Sequence, residues 1–169
     1  AVTNGFSKPL EKVSTPGVKT IAELSYFLKI ESKETTKAVM FETAEENFKP
    51  VIAFVRGDKD VLQVKVEKLV GKPLIPAREI TLRSAGVVPG STGPIALNLN
   101  LVDVVIDRTV ENVENTVVGA NEENVHYCGF NMKRDFLDHL EKNDFTKIIF
   151  GDVISVGEND PCPKCRSPL

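Results

Sequence analysis

Gly90-Ser-Thr-Gly-Pro94 is the segment of this sequence best equipped for chemistry. Its glycines permit positive φ and let successive amides face one point, which makes a nest for an anion or for an oxyanion developing on a carbonyl. The same residues also suit a tight turn between a helix and a strand. Several familiar sites are excluded. No Gly-Lys-Ser/Thr follows to make a P-loop, the G-x-G-x-x-G spacing is absent, and Pro89 stands where a nucleophile elbow around Ser91 needs glycine. Lys37 opens an apolar run on the parity of Val39 and Phe41, so its amine either snorkels outward or is held for a purpose. His126 lies between Val125 and Tyr127, a common position for a satisfied core histidine. Asp107 closes another apolar run ahead of Arg108-Thr-Val, where it fits a helix N-cap. Cys162-Pro-Lys-Cys165 is half of a zinc site with only Cys128 or a distant histidine left to complete it, so no metal is expected. With two histidines and one interior cysteine, a metal cluster or a Cys/His dyad has few available parts.

The elements that must position these residues alternate irregularly. Thr20-Ile-Ala-Glu23 is a capping-box pattern, with Ile21, Leu24, Phe27 and Leu28 as a helical stripe behind it. Lys37–Thr43 reads as a strand, and Val51–Val55, continuously apolar between Pro50 and Gly57, as a strand buried on both faces. Asp60–Leu69 is ambiguous between helix and strand, whereas Pro76–Ala85 looks like a short helix. Leu101–Ile106, Thr116–Val118, Val125–Cys128, Ile148–Phe150 and Val153–Val156 read as strands, and Phe136–Leu140 as a helical turn or two. This mixture favours a single α+β domain over a doubly wound sheet. Residues 1–19, rich in turn signals, read as a linker rather than core.

The chain has 169 residues, 41% of them hydrophobic, a size that fits one core and a composition too apolar for disorder. Its formal charge of −3 argues against a protein that wraps nucleic acid by bulk charge, and no DNA is expected as partner. The charge is uneven: to Ser84 there are 14 basic and 11 acidic residues, and from Ala85 onward 7 and 13. If side chains bind phosphates, the first half is the contributor to expect; ordinary surface scatter of charge is the other reading. No apolar run reaches the roughly 18–20 residues of a membrane helix, so no membrane partner is expected. Three cysteines, two of them in one Cys-x-x-Cys, do not make a disulfide framework and point to a reduced, cytoplasmic setting. A first residue that is not Met, and a last one just beyond Cys165, read as cuts through a longer protein.

Taken together the segments resemble the editing domain inserted into bacterial-type prolyl-tRNA synthetases. The matching stretches are Ser14-Thr-Pro-Gly-Val-Lys-Thr-Ile21, Lys33–Val39, Val55-Arg-Gly-Asp58, Gly90-Ser-Thr-Gly-Pro94, Val105-Ile-Asp-Arg-Thr-Val110, Gly119-Ala-Asn121, His126-Tyr-x-Gly-x-Asn131, Arg134-Asp135 and Gly157-x-x-Asp-Pro161. They run in family order through nearly the whole chain. The resemblance implies an α+β domain with a central, partly barrel-like sheet flanked by helices. It places the editing domain at 20–160, with a linker at 1–19 and an outgoing segment at 161–169 toward a parent synthetase. It implies hydrolysis of alanine mischarged on proline tRNA, at the tRNA 3′ end, without a cofactor. ATP would serve only the ligase activity of the parent, expected to be a homodimer.

By the same resemblance, Lys37 is the editing lysine that contacts the terminal phosphate or ribose. The amides of Gly90 and Gly93, with Ser91, Thr92 and Pro94, would hold the ester carbonyl and the water. His126 would line the amino-acid pocket, admitting alanine and rejecting proline, and Asp107 would meet the substrate ammonium. One departure is Ala38, where the family commonly has threonine. Free-standing trans-editing deacylases share the fold, and a tRNA-binding module that has lost hydrolysis is a third possibility. The Arg-Gly-Asp, His-Tyr-x-Gly-x-Asn and Asp-Pro-Cys-Pro segments look more like the inserted domain.

Overall fold

The structure, a computed structural model, describes residues 7–45 and 47–156. The apolar run predicted to be buried on both faces is β3 (Pro50–Arg56), in the middle of a five-stranded sheet. On one side it pairs antiparallel with β2 (Thr36–Thr43), which in turn carries the short edge strand β4 (Leu74–Pro76). On the other it pairs parallel with β5 (Asp103–Asp107), and β5 parallel with β8 (Ile148–Gly151).

Alternation along β3 feeds two cores. Ile52 and Phe54 pack with Val104, Ile106, Phe130 and Met132 on one face. Val51, Ala53 and Val55 pack with Phe41, Val66 and Val105 on the other, under α2 (Gln63–Val70). Such a strand has no solvent face, so β-branched and aromatic residues occupy every position from 51 to 55 except Ala53. The ambiguous stretch 60–69 thus resolves as a helix whose Val66 seals the second core. α3 (Glu79–Ser84) falls inside the predicted 76–85.

A second, three-stranded sheet is built from β6 (Thr116–Glu122), β7 (Val125–Phe130) and β1 (Glu11–Ser14), in the order β1-β7-β6. It meets the larger sheet where Thr35 pairs in parallel with Val117 and the Thr36 and Thr116 hydroxyls lie 2.9 Å apart. The domain is therefore mixed α+β, its β-structure divided between two sheets rather than gathered into one. β6 and β7 are longer than the short strands predicted and form a hairpin. α4 (Met132–Asp135) follows β7, and short 3-10 turns occupy Ser32–Glu34, Leu137–His139 and Asp144–Lys147.

Two sequence expectations need correction. The stretch read as a linker contributes β1 to the second sheet, and Thr15 and Val18 are buried. Pro9 precedes the strand and Pro16-Gly17 mark the turn after it, and these turn signals conceal the strand between them. Val153–Val156 does not extend as a strand. Only Ile154 makes a bridge, to Val61, because the Val153 amide donates to Asp107 Oδ1 rather than to a neighbouring strand. The outgoing segment 161–169 and the Cys162/Cys165 pair lie outside the described residues.

Candidate active site

A cavity of about 170 Å³ opens at the seam between the two sheets. That is below the roughly 300–1,000 Å³ of a cleft for a drug-sized ligand, so it admits a small group. β2 supplies one wall. By alternation Thr36, Ala38 and Met40 turn toward the cavity, and Lys37 borders it at the start of the strand. The Lys37 ammonium is 3.8 Å from Oδ1 of the exposed Asp60, too long and too open for a firm ion pair.

The second wall is α1 (Ile21–Leu28). Its N-cap is Thr20, whose hydroxyl accepts from the Glu23 amide at 3.1 Å and donates to Glu23 Oε1 at 3.0 Å. The predicted capping segment is thus in place, and it turns Ile21 and Leu24 to the cavity.

The third wall is the 90–94 loop. Gly90 adopts φ +85°, which favours glycine, and a Cβ there would stand 3.3 Å from the Lys19 side chain, a contact that this flexible chain can relieve. A Cβ on Gly93 would overlap the Gly119 carbonyl, and one on Gly119 would overlap the backbone of Ser91 and Thr92. β6 and the loop therefore touch backbone to backbone.

Asn121 fastens that contact. Its amide Nδ2 donates to the carbonyls of Gly93 and Ile95, each at 2.6 Å, and its Oδ1 accepts from the Gly93 amide at 3.3 Å. Its own backbone N–H donates to Ser91 O at 2.7 Å. The Thr92 hydroxyl donates to Val88 O at 2.8 Å, closing the loop from within. Because the Ser91 amide donates to Val88 and the Gly93 amide to Asn121, the loop amides left without a protein partner among the described residues include Gly90 and Thr92, both at the cavity. Of the predicted pair Gly90 and Gly93, only Gly90 thus has an available donor.

His126, on β7, completes the wall. Its Nδ1 is 2.6 Å from the hydroxyl of the fully buried Thr15, just beyond β1. Burial holds the imidazole below its ordinary pKa, so the ring is neutral at physiological pH and serves as a shaped, polar surface.

Among the sequence-predicted residues, the fold brings Lys37, Gly90, Thr92 and His126 to one cavity. Ser91 and Gly93 lie behind them, buried against β6. Pro94 faces a second, more open groove with Ile95 and Tyr127. Asp107 is elsewhere. Its Oδ2 accepts from the Thr109 amide at 2.9 Å and hydroxyl at 2.6 Å, and its Oδ1 from the Val153 amide at 2.8 Å. That carboxylate closes a turn after β5 and does not line the cavity, so the expected contact with a substrate ammonium finds no support. It caps a turn rather than a helix. Lys19, Thr15, Gly119 and Asn121 are the additions. The last two stand in the quoted Gly119-Ala-Asn121, but nothing local to that tripeptide says what it clamps. Among the described residues no cluster of three metal-binding side chains is present, and no helix is long and apolar enough to cross a membrane.

Comparison with known proteins agrees with this architecture. The family model for the aminoacyl-tRNA editing domain matches residues 15–136, and the chain belongs to that family. Proline–tRNA ligase of Chromobacterium violaceum is 42% identical over 166 residues, which cover 96% of this chain and 27% of that protein. The Aquifex aeolicus enzyme is 38% identical over 164 residues, with the same two coverages of 96% and 27%. The chain thus spans about a quarter of the length of these relatives. Among solved structures, a hypothetical protein superimposes with a TM-score of 0.68 at 20% identity, covering 87% of this chain and 92% of its own. A candidate trans-editing enzyme for prolyl-tRNA synthetase gives 0.66 at 18% identity, over 86% and 87%. Both share the fold.

Proposed function

We propose that this chain performs post-transfer editing, hydrolysing alanine from mischarged proline tRNA as the editing domain of a prolyl-tRNA synthetase. The observation that carries the reading is the gathering of Lys37, the Gly90 and Thr92 amides and His126 around one small cavity. Alanine is smaller than proline, and a synthetic site cannot exclude a smaller side chain by size. Missing methylenes give only about 1–3 kcal/mol of discrimination, so a second, hydrolytic site is needed.

The substrate is an ester of the terminal ribose and already activated, so no protein nucleophile is required. A water oxygen adds to the ester carbonyl carbon, and the negative charge that gathers on the carbonyl oxygen is met by the Gly90 and Thr92 amides. The bond from that carbon to the ribose oxygen then breaks, the ribose oxygen takes the proton released by the water, and free alanine departs. Lys37 contacts the terminal phosphate or ribose and sets the ester against the loop. Neutral His126 bounds the amino-acid end and leaves no room for the proline ring. The reaction takes no cofactor, and ATP belongs only to the ligase activity of the parent synthetase, a cytoplasmic homodimer. The match to a quarter of two proline–tRNA ligases supports the inserted form over a free-standing one.

The test is release of amino acid from alanyl- and prolyl-tRNA(Pro) by this chain and by Lys37→Ala. The wild type releases alanine and spares proline, and Lys37→Ala is slower by about 100-fold, the usual consequence of a misplaced reacting group. Equal rates for the two proteins remove the role given to Lys37. Absent release with intact tRNA binding makes the chain a binding module.

A further inference from the structure

α1 has an outer face that the cavity does not use. Ile21, Leu24 and Leu28 pack inward with Val18 and Val117, which leaves Tyr26 on the opposite side of the helix at 87% exposure. This is the most exposed large apolar side chain among the described residues, and Phe27 beside it is 46% exposed. Lys19, just ahead of the N-cap, lines the cavity and lies over Gly90. Lys29, the left-handed C-cap, closes the other end of the helix. Neither lysine has an ion-pair partner among the described residues. Of the carboxylates nearby, Glu31 is neutralised by Lys33 at 3.1 Å, while Glu23 and Glu34 keep their charge and accept from neutral donors, the Thr20 hydroxyl at 3.0 Å and the Glu31 amide at 2.7 Å.

An exposed aromatic between unpaired cations is the make-up of a single-strand nucleic-acid track, in which the ring offers a stacking face and the ammoniums follow the phosphates. Lys19 stands two residues ahead of α1 and Tyr26 in its second turn, so the track leads from the cavity rim along the helix. We propose that the face running from Lys19 to Tyr26 seats the unpaired nucleotides at the tRNA 3′ end, with one base stacked on Tyr26 and a phosphate held by Lys19. The proposal deepens the editing reading and rests on it for the identity of the strand. A second copy of this chain is the competing occupant, and sedimentation decides for or against it.

Binding and hydrolysis are read separately, so the two proposals can fail separately. The binding probe is a fluorescently labelled oligonucleotide carrying no amino acid and ending in the three unpaired nucleotides of tRNA, titrated by anisotropy with the full chain. Tyr26→Ala is expected to weaken binding about tenfold, the loss of one stacked base, and Tyr26→Phe to retain it. An oligonucleotide with an abasic residue at one of the three positions is expected to lose the same tenfold on the wild type and nothing further on Tyr26→Ala. Lys19→Ala is expected to lower the slope of log Kd against log salt by about one, one phosphate contact fewer. Wild-type binding by Tyr26→Ala, or an unchanged salt slope for Lys19→Ala, overturns the proposal even if the wild type hydrolyses alanyl-tRNA. A dimer in sedimentation that Tyr26→Ala dissociates, with oligonucleotide binding unchanged, makes this face a self-association surface and overturns it as well.

Discussion

Val51–Val55 and Ser91–Gly93 are both buried, but in opposite ways. In β3 the side chains do the filling: five consecutive residues have zero exposure and reach two separate cores. In the loop the backbone does it. Glycines let main chain meet main chain, and Asn121 ties the contact with polar bonds. Apolar burial is non-directional and supplies stability, whereas hydrogen bonds are directional and fix where an amide points. A site that must aim donors at one carbonyl oxygen is better built by the second method. Stability and geometry are therefore separable here.

The sharpest way to break the comparison is Phe54→Ala. Loss of a fully buried phenyl ring is expected to cost about 3–5 kcal/mol in denaturant unfolding. The folded fraction should keep its deacylation rate, so a parallel collapse of rate per folded molecule would show that the two regions are not separate.

Gly93→Ala is the converse. Its new methyl meets a carbonyl on β6 that has nowhere to retreat, so the loop must shift. Alanine release is expected to fall by about 10²–10³, the loss of an aligned oxyanion donor, while far-UV dichroism and the burial around β3 stay as they are.

Asn121→Asp is subtler. Aspartate tolerates the left-handed backbone found at this position, φ +54°, but it sets carboxylate oxygens against the Gly93 and Ile95 carbonyls. A drop in kcat of about tenfold with KM unchanged is expected. A rise in KM alone would make Asn121 a binding residue and not a positioning one.

The smallest effect belongs to His126 and pH. Its folded pKa is depressed by burial, so below the unfolded value of about 6.5 the unfolded chain takes a proton that the folded chain refuses. Stability is therefore complete above that pH and declines as pH falls toward the lower folded pKa. In His126→Gln that contribution to the acid slope is expected to vanish, as measured by unfolding at pH 7 and pH 5.5. An unchanged slope would mean that the ring titrates alike in the folded and unfolded chains, so that burial does not hold it neutral.

Much of the frame was legible because its signals are local. A short unbroken apolar run bounded by Pro50 and Gly57 fits a strand covered on both sides better than a helix, and Thr20 followed by Glu23 ahead of an apolar stripe marks a helix start. β1 and β4 were not legible. The first is flanked by Pro9 and Pro16-Gly17, and the second is three residues long and ends in a proline, so neither has a period to detect. The site was half legible. Lys37, His126 and the glycine loop have types that invite a role. Thr15 and Asn121 have ordinary types, and their roles exist only because a strand more than a hundred residues away and a loop some thirty residues away, respectively, arrive beside them. Asp107 went the other way: its type invited a role that its three hydrogen bonds already occupy.

The contact between Gly93 and Gly119 constrains how such a site can change over generations. Gly93 is held by the main chain of Gly119, and Gly119 by the main chain of Ser91 and Thr92, so a substitution at either glycine cannot be rescued by shrinking a neighbouring side chain. Ser91 and Thr92 are themselves buried, and the Thr92 hydroxyl holds Val88, so the loop offers little room for variation. Selectivity for a different amino acid is therefore expected to arise across the cavity, on β2 and β7, with the loop passed on as a fixed part.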